Sequence, residues 1–153
     1  MALKNLLASV PFERLTTRLG YAGLVPFGVL ALLLWLVKPD LHPFVATALL
    51  CYGAVIASFL GGIHWGIGIS LAPHKTEQAK HHVLWGIALS LMAWVAAMMP
   101  AFAGLPLLGL LFVASYLVDR KYWPGAGLGA WLTLRFRLSA MAAVCCVFGA
   151  AAT

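Results

Sequence analysis

The near absence of charge from five long stretches constrains the fold of this chain more than any other feature. Only 9% of its 153 residues are charged, whereas 63% are hydrophobic. A soluble domain carries about 25% charged residues, so this chain could not cover a water-exposed surface. A helix needs about 20 mostly apolar residues to cross the hydrocarbon core of a bilayer. The sequence therefore predicts an all-α, polytopic membrane protein that forms one compact helical bundle.

The predicted bundle is a single membrane domain, 1–153, that crosses the bilayer five times. An apolar face and the cations Lys4, Arg14 and Arg18 mark residues 1–18 as an amphipathic segment on the membrane surface. The predicted spans are residues 19–37, 44–71, 82–99, 105–118 and 132–150.

The basic residues predict the orientation of these spans. With five spans and the N-terminus inside, Lys38 is the single basic residue on the outer side. The inner side then holds Lys4, Arg14, Arg18, Lys75, Lys80, Arg120, Lys121, Arg135 and Arg137. Positive charge accumulates on the cytoplasmic side of membrane proteins, so we expect the N-terminus inside and the C-terminus outside. The net charge of +6 is thereby explained without nucleic acid, which is not an expected partner.

Small residues recur every four positions along the second predicted span. On a helix they would form one smooth stripe, and small residues let a neighbouring helix approach closely. We expect this stripe to be a helix-packing surface, with room for a flat ligand or a lipid tail as the alternative. Its members are Ala54, Ser58, Gly62, Gly66 and Ser70.

His64 is the ionisable side chain that lies deepest inside an uncharged span. Ionisable residues within membranes are costly and are candidates for function. Three interpretations stay open: a neutral histidine bonded to a neighbouring helix, a ligand contact, or a proton relay or metal ligand. Haem would need a second axial ligand at the same depth, and we place His42 and His82 at opposite membrane surfaces. Neither a metal nor a cofactor is predicted.

Asp119 ends the fourth span on the side where Arg135 and Arg137 begin the fifth. A carboxylate at this depth favours a guanidinium partner, so we expect an ion pair with one of these arginines. The alternative is that both arginines reach lipid phosphates. Shared depth leads to the hypothesis of one ligand site on the cytoplasmic side. That site comprises Ser58, His64, Trp65, Asp119, Trp131, Arg135 and Arg137.

No enzyme signature accompanies these residues. The sequence lacks a His-Glu-x-x-His zinc motif, a Gly-x-Ser-x-Gly nucleophile motif and a phosphate-binding glycine loop. We therefore predict a non-enzymatic module that contacts membrane lipids and binds a hydrophobic ligand, a lipid, a partner membrane protein or a second copy. The alternatives are a transporter or channel component, and a membrane enzyme that uses His64 and Asp119 on a lipid or isoprenoid.

The segment from Tyr52 to Gly66, with its Ser-Phe-Leu-Gly-Gly-x-x-Trp-Gly string, resembles the core motif of a known membrane family. That family is domain of unknown function 3429, which includes transmembrane protein 69-like sequences. The resemblance extends to residues 20–27, to Asp119, and to the cluster of Trp131, Arg135 and Arg137. It implies a multi-span protein of the bacterial inner membrane or, alternatively, the mitochondrial inner membrane, and implies no activity. Family members often have a basic residue at the position of His64, which disfavours an obligatory metal ligand.

Overall fold

A computed structural model describes residues 11–153, which form α-helices, short 3-10 helices and no strand. Five helical stretches are long and apolar enough to cross a membrane, because α1 and α2 together make one such stretch of 25 residues. The all-α prediction with five spans is therefore confirmed. The helices are α1 (Phe12–Ala22), α2 (Leu24–Leu36), α3 (His42–Leu71), α4 (Thr76–Met98), α5 (Ala101–Tyr122) and α6 (Leu132–Ala150), with 3-10 helices at Pro124–Ala126 and Gly129–Trp131.

The helices do not share their ends with the predicted spans. Helix α4 begins at Thr76, six residues before the predicted span, and α5 ends four residues beyond residue 118. Helix α1 runs through residue 18, where we placed the end of the surface segment, and residues 1–10 lie outside the described part of the chain. Hydrophobicity marks where a helix can meet lipid, whereas the helix itself can continue into the interfacial region. The exact membrane boundaries stay a prediction.

The break between α1 and α2 has a local cause. Pro26 lacks an N–H group and cannot bond the carbonyl one turn earlier, which weakens the helix around Gly23. The hydroxyl of Tyr52 in α3 donates a hydrogen bond of 2.8 Å to the Gly23 carbonyl oxygen. A side chain of the central helix thus satisfies a main-chain group at the break.

Helix α3 is the centre of the bundle and packs against α2, α4, α5 and α6. At 30 residues it is about 45 Å long, more than the roughly 30 Å of a hydrocarbon core. The apolar core fills the middle of the bundle, where aromatic rings and leucines are almost fully buried. Its largest members are Phe27, Phe112, Leu49, Leu89, Leu105 and Leu108.

The most extensive helix contact joins α3 to α4, but it does not use the predicted stripe. A Cβ atom built on Gly61 would lie 2.5 Å from the Gly86 carbonyl oxygen, so the two backbones almost touch. A Cβ atom built on Gly62 or Gly66 meets no described atom within 4 Å. Ala54 is buried and Ser58 half-buried, while Gly62, Gly66 and Ser70 are exposed. The expectation that these five residues form one packing surface is therefore wrong for the described chain.

Two opposite ends of the bundle can be distinguished. At one end Lys75, between α3 and α4, bonds the Gly125 carbonyl oxygen between α5 and α6. Phe12 at the start of α1 contacts Trp131 at the same end. Arg120, Lys121, Arg135 and Arg137 also belong to the helix termini at this end, which we call the basic end. That the basic end is cytoplasmic remains a prediction.

Candidate functional site

A buried polar cluster lies at the basic end of the bundle, between α3, α4, α5 and α6. Its five side chains are 0–8% exposed, although four of them are imidazole rings or ions that water would otherwise solvate. Polar groups persist in such surroundings only when their hydrogen bonds are satisfied. The members of this polar cluster are His64, His82, Ser115, Asp119 and Arg135.

Asp119 is the centre of the polar cluster and is paired with both Arg135 and His64. Its Oδ2 atom accepts a hydrogen bond of 2.7 Å from Nε of Arg135 and forms an ion-pair contact of 2.7 Å with Nη2 of the same side chain. Its Oδ1 atom lies 2.7 Å from Nε2 of His64. A fully buried carboxylate requires such compensation, and the expected ion pair is present with Arg135. Arg137 instead donates to the hydroxyl of Tyr21 at 3.4 Å and is exposed.

Hydrogen bonding determines the tautomers of both histidines when they are neutral. The Arg135-paired carboxylate accepts, so His64 carries its proton on Nε2 and leaves Nδ1 as an acceptor. Nδ1 of His82 lies 2.9 Å from Nδ1 of His64 and must therefore be the donor. Nε2 of His82 is then an unprotonated acceptor. The polar cluster forms a directional chain from His82 through His64 to the carboxylate.

Arg135 connects the polar cluster to its surroundings. Nη2 also donates to Oγ of Ser115 at 3.2 Å, and the guanidinium carbon lies 5.6 Å from the centre of the Trp123 ring. Such stacking suits the planar guanidinium cation. The remaining nitrogen, Nη1, has no hydrogen-bond partner in the part of the chain that the structure describes.

Two grooves flank the polar cluster, one on each side. The first, which we call the Arg135 groove, lies between α1, α3 and α6 and has a volume of about 580 Å³. A deeper extension of about 150 Å³ reaches Ser139 and shares Arg135 with it. Its walls include Phe12, Leu19, Phe59, Trp131, Leu134 and Arg135.

The second groove, which we call the histidine groove, lies between α4 and α5 and has a volume of about 340 Å³. Its walls include His64, His81, His82, Trp85, Val118 and Tyr122.

Three buried polar atoms along these grooves have no hydrogen-bond partner among residues 11–153. They are Oγ of Ser139, Nε1 of Trp123 and Nε1 of Trp85. Ser139 lines the extension of the Arg135 groove, Trp123 lines the Arg135 groove itself, and Trp85 lines the histidine groove. Leaving such a group unsatisfied costs about 1–3 kcal/mol. These atoms therefore mark places where a bound molecule could accept a hydrogen bond.

The structure brings together three of the seven residues of the hypothesised site: His64, Asp119 and Arg135. Trp131 lies in the wall of the Arg135 groove. Ser58 and Trp65 line a shallow depression between α3 and α4 instead, where Trp65 is 45% exposed. Together with Arg137, they are not part of the polar cluster.

Sequence reasoning missed four polar residues of this region. His82 was placed at the membrane surface, but it lies two turns inside α4. Ser115 precedes Asp119 by four residues, and Ser139 follows Arg135 by four, so each serine shares a helix face with an ion. That spacing was a usable signal. The fourth residue is Trp123, whose burial beneath Arg135 depends on the loop after α5.

Among residues 11–153, no group of three or more His, Cys, Asp and Glu side chains is placed to hold a metal ion. His64, His82 and Asp119 form a hydrogen-bonded line, in which the ring nitrogens and the carboxylate face one another directly. The arrangement can hold and move a proton, and it holds the guanidinium of Arg135 in a fixed position.

Comparisons with known proteins agree with the family resemblance. Transmembrane protein 69 of Xenopus tropicalis is 43% identical over 79 residues, which are 51% of this chain and 30% of that relative. The aligned segment thus spans less than a third of the relative's length. No solved structure matches the chain. A family model described as protein of unknown function (DUF3429) matches residues 12–151, and the chain therefore belongs to this family of membrane proteins.

Proposed function

We propose that this protein is a non-enzymatic membrane module that binds an amphipathic molecule in the Arg135 groove. The molecule has an apolar chain and a head that accepts hydrogen bonds. The observation that carries the proposal concerns three residues that line the otherwise apolar Arg135 groove and its extension: Ser139, Trp123 and Arg135. Each has a polar atom without a hydrogen-bond partner among residues 11–153, namely Oγ of Ser139, Nε1 of Trp123 and Nη1 of Arg135.

The walls of the Arg135 groove suit the chain of such a molecule. Apart from Thr16, Arg135 and Ser139, the groove and its extension are lined by apolar side chains and glycines. Ligand sites commonly have this character, with a few polar groups that orient the ligand. The groove begins at the basic end, beside Phe12 and Trp131, so a head near Arg135 would lie toward the membrane surface.

The helix termini favour an acceptor head that carries partial or full negative charge. Arg135 lies in the first turn of α6, where the helix dipole is positive. Backbone N–H groups and a cation at one helix start commonly bind anionic groups. The same position disfavours a cationic head.

The enzyme alternative receives less support from the geometry. His64 is 1% exposed and both of its ring nitrogens have partners, while Asp119 is fully buried. A general acid or base has to come within hydrogen-bonding reach of the substrate, and neither side chain is free to do so.

A transporter or channel also receives less support. In the described chain, the half of the bundle away from the basic end is filled by closely packed apolar side chains. A pore would have to form between several copies.

Native mass spectrometry of the protein in mild detergent tests the proposal, with phosphatidylglycerol as the added probe. We expect a one-to-one adduct, and Ser139→Ala and Trp123→Phe each to weaken it roughly fivefold, because a hydrogen bond contributes about 1 kcal/mol. Trp85→Phe is the matched control, since it removes the same kind of N–H group from the histidine groove. Equal adducts in all variants, or a bare chain in every preparation, would refute the proposal.

The same spectra test the partner expectations. A mass of twice the 16.3 kDa chain would indicate a homo-oligomer. A reproducible larger mass would indicate a partner membrane protein. We place the protein in a bacterial inner membrane, with the mitochondrial inner membrane as the alternative, and the basic end on the cytoplasmic or matrix side.

A further inference from the structure

The polar cluster is electrically neutral when both histidines are neutral and Asp119 is paired with Arg135. Arg135 contributes one positive charge and Asp119 one negative charge. Both histidines are neutral in the tautomers that the carboxylate selects. Neutrality is what a buried site in an apolar bundle requires, because an uncompensated charge there costs several kcal/mol.

An anionic head beside Nη1 of Arg135 would disturb this balance. Arg135 already neutralises Asp119 through a hydrogen bond and an ion-pair contact, so the head would add one negative charge without a counter-charge. The most direct compensation is a proton. The histidine pair is the group within the polar cluster that can accept one.

The geometry defines where that proton goes. It enters at Nε2 of His82, the unprotonated acceptor of the chain, from the histidine groove that His82 lines. The proton on Nδ1 of His82 then passes to Nδ1 of His64, 2.9 Å away. His64 becomes an imidazolium that donates to Asp119 through Nε2, so the new charge lies against the carboxylate.

The histidine pair can hold one added proton and not two. Two imidazolium rings joined by nitrogens 2.9 Å apart would have no acceptor between them and would repel each other. The other titratable or charged groups that face the pair are His81, which stacks on Tyr122, Tyr122 itself, Asp119 and Arg135. Of these, only Asp119 attracts the added proton.

We propose that the Arg135 groove binds an anionic amphiphile and that its binding is coupled to the uptake of one proton by the His64–His82 pair. This inference rests on the proposed function and specifies its ligand and its regulation. The ligand chemistry is a phosphate or other fixed anion on an apolar chain. A soluble phosphate ester shares the head chemistry, so the test includes one.

The test compares binding at pH 8, 7 and 6 in lipid nanodiscs that contain no anionic lipid. The probes are phosphatidylglycerol, whose charge is constant over this range, diacylglycerol with the same chains, and glycerol phosphate without chains. Coupling to one proton makes affinity rise by up to about tenfold per pH unit as the pH falls. We expect this rise for phosphatidylglycerol and a flat profile for diacylglycerol. Proton uptake on adding phosphatidylglycerol in weak buffer should approach one per bound lipid.

Variants identify the proton acceptor. Changing both His64→Gln and His82→Gln keeps a donor and an acceptor at each position but removes titration, so the pH dependence should disappear. His81→Gln is the matched control, since His81 lines the same groove without joining the hydrogen-bonded chain, and it should keep the wild-type profile. If the double variant does not fold, proton uptake by the wild-type protein still decides the question.

Each outcome has a distinct meaning. Binding of phosphatidylglycerol that is equal at all three pH values, without proton uptake, would overturn the coupling and leave the proposed function intact. Equal binding of diacylglycerol would overturn the anionic head. Glycerol phosphate as tight as the lipid would overturn the lipid as the source of the anion. Failure of every probe to bind would overturn the proposed function and this inference together.

Discussion

The ion pair of Asp119 and Arg135 allows a quantitative test of how the polar cluster contributes to stability. Asp119→Asn leaves the guanidinium without its counter-ion, and Arg135→Gln leaves a carboxylate that is 0% exposed. Breaking a buried pair by removing one partner costs about 3–5 kcal/mol. For a chain of this length, that corresponds to a fall in Tm of about 6–20 °C for each single variant.

The double variant, Asp119→Asn with Arg135→Gln, should be less destabilised than the sum of the two single changes. It leaves no uncompensated charge, and the two amides can bond each other. We expect the non-additive part of the free energy of unfolding to be about 2–3 kcal/mol. The matched control is the exposed pair of Glu77 and Lys80, whose side chains are 80% and 62% exposed. Its removal should leave Tm nearly unchanged, because exposed ion pairs contribute little to stability.

Thermal unfolding can be followed with a thiol-reactive dye. Cys146 in α6 is 0% exposed and should react only when the bundle opens. Cys51 is exposed and Cys145 is half-buried, so the measurements use a background with Cys51→Ala and Cys145→Ala. If the losses of the two single variants simply add in the double variant, the two ions do not stabilise one another and the account of the polar cluster is wrong.

Three further predictions concern the α3–α4 contact, the break between α1 and α2, and the orientation in the membrane. Gly61→Ala should lower Tm by several degrees because the new Cβ atom meets the α4 backbone. Gly62→Ala should leave Tm unchanged or raise it slightly, since a Cβ atom there meets no described atom. The opposite order of the two Tm values would contradict the helix contact. Tyr52→Phe should cost about 1 kcal/mol, because it removes the hydrogen bond to Gly23, and thermal unfolding measures the loss. A reporter fused at Thr153 should be active only on the outer side, and cytoplasmic activity would disprove the orientation predicted from the basic residues.

The number of membrane spans could be predicted from the sequence because the cost of placing charge in lipid is large and local. Four acidic and ten basic residues in 153 leave few ways to arrange apolar spans. The ion pair was within reach for the same reason: Asp119 and the two arginines end neighbouring spans at one depth. Choosing Arg135 over Arg137 required the rotation of α6, which directs Arg137 toward Tyr21.

The small-residue stripe was misjudged because of helix geometry. A spacing of four residues advances about 40° around a helix at each step. From Ala54 to Ser70 the stripe therefore winds through about 160° and cannot face one neighbour throughout. The buried small residues are instead Ala57, Gly61 and Gly68. They are separated by four and then seven residues, so they stay on one side of the helix. The contact of Gly61 and Gly68 with α4 follows a face of the helix rather than a sequence repeat.

His82 was missed because the helix α4 extends beyond the apolar segment from which its span was predicted. Glu77 and Lys80 carry charges that exclude their positions from a predicted span, yet a helix accommodates both when their side chains are exposed. Helix α4 consequently begins one and a half turns early, and His82 moves from the expected surface to a buried position beside His64. A partner for an intramembrane histidine should therefore also be sought in the polar flank of the next helix.

The location of the ions argues that the polar cluster is more than a stabilising device. Asp119 lies in the last turn of α5 and Arg135 in the first turn of α6. Each charge therefore has the same sign as the dipole end at which it lies, which destabilises the helix. Helix stability alone would favour the reverse assignment of charges. The observed assignment instead fixes a guanidinium at a positive helix end, with Nε and Nη2 engaged and Nη1 beside an apolar groove. A lysine could neutralise Asp119, but its single ammonium group could not hold that carboxylate in a fixed fork and also present a donor to the groove. Under the proposed function, Arg135 would serve two tasks at once: pairing with Asp119 and binding the head of a ligand.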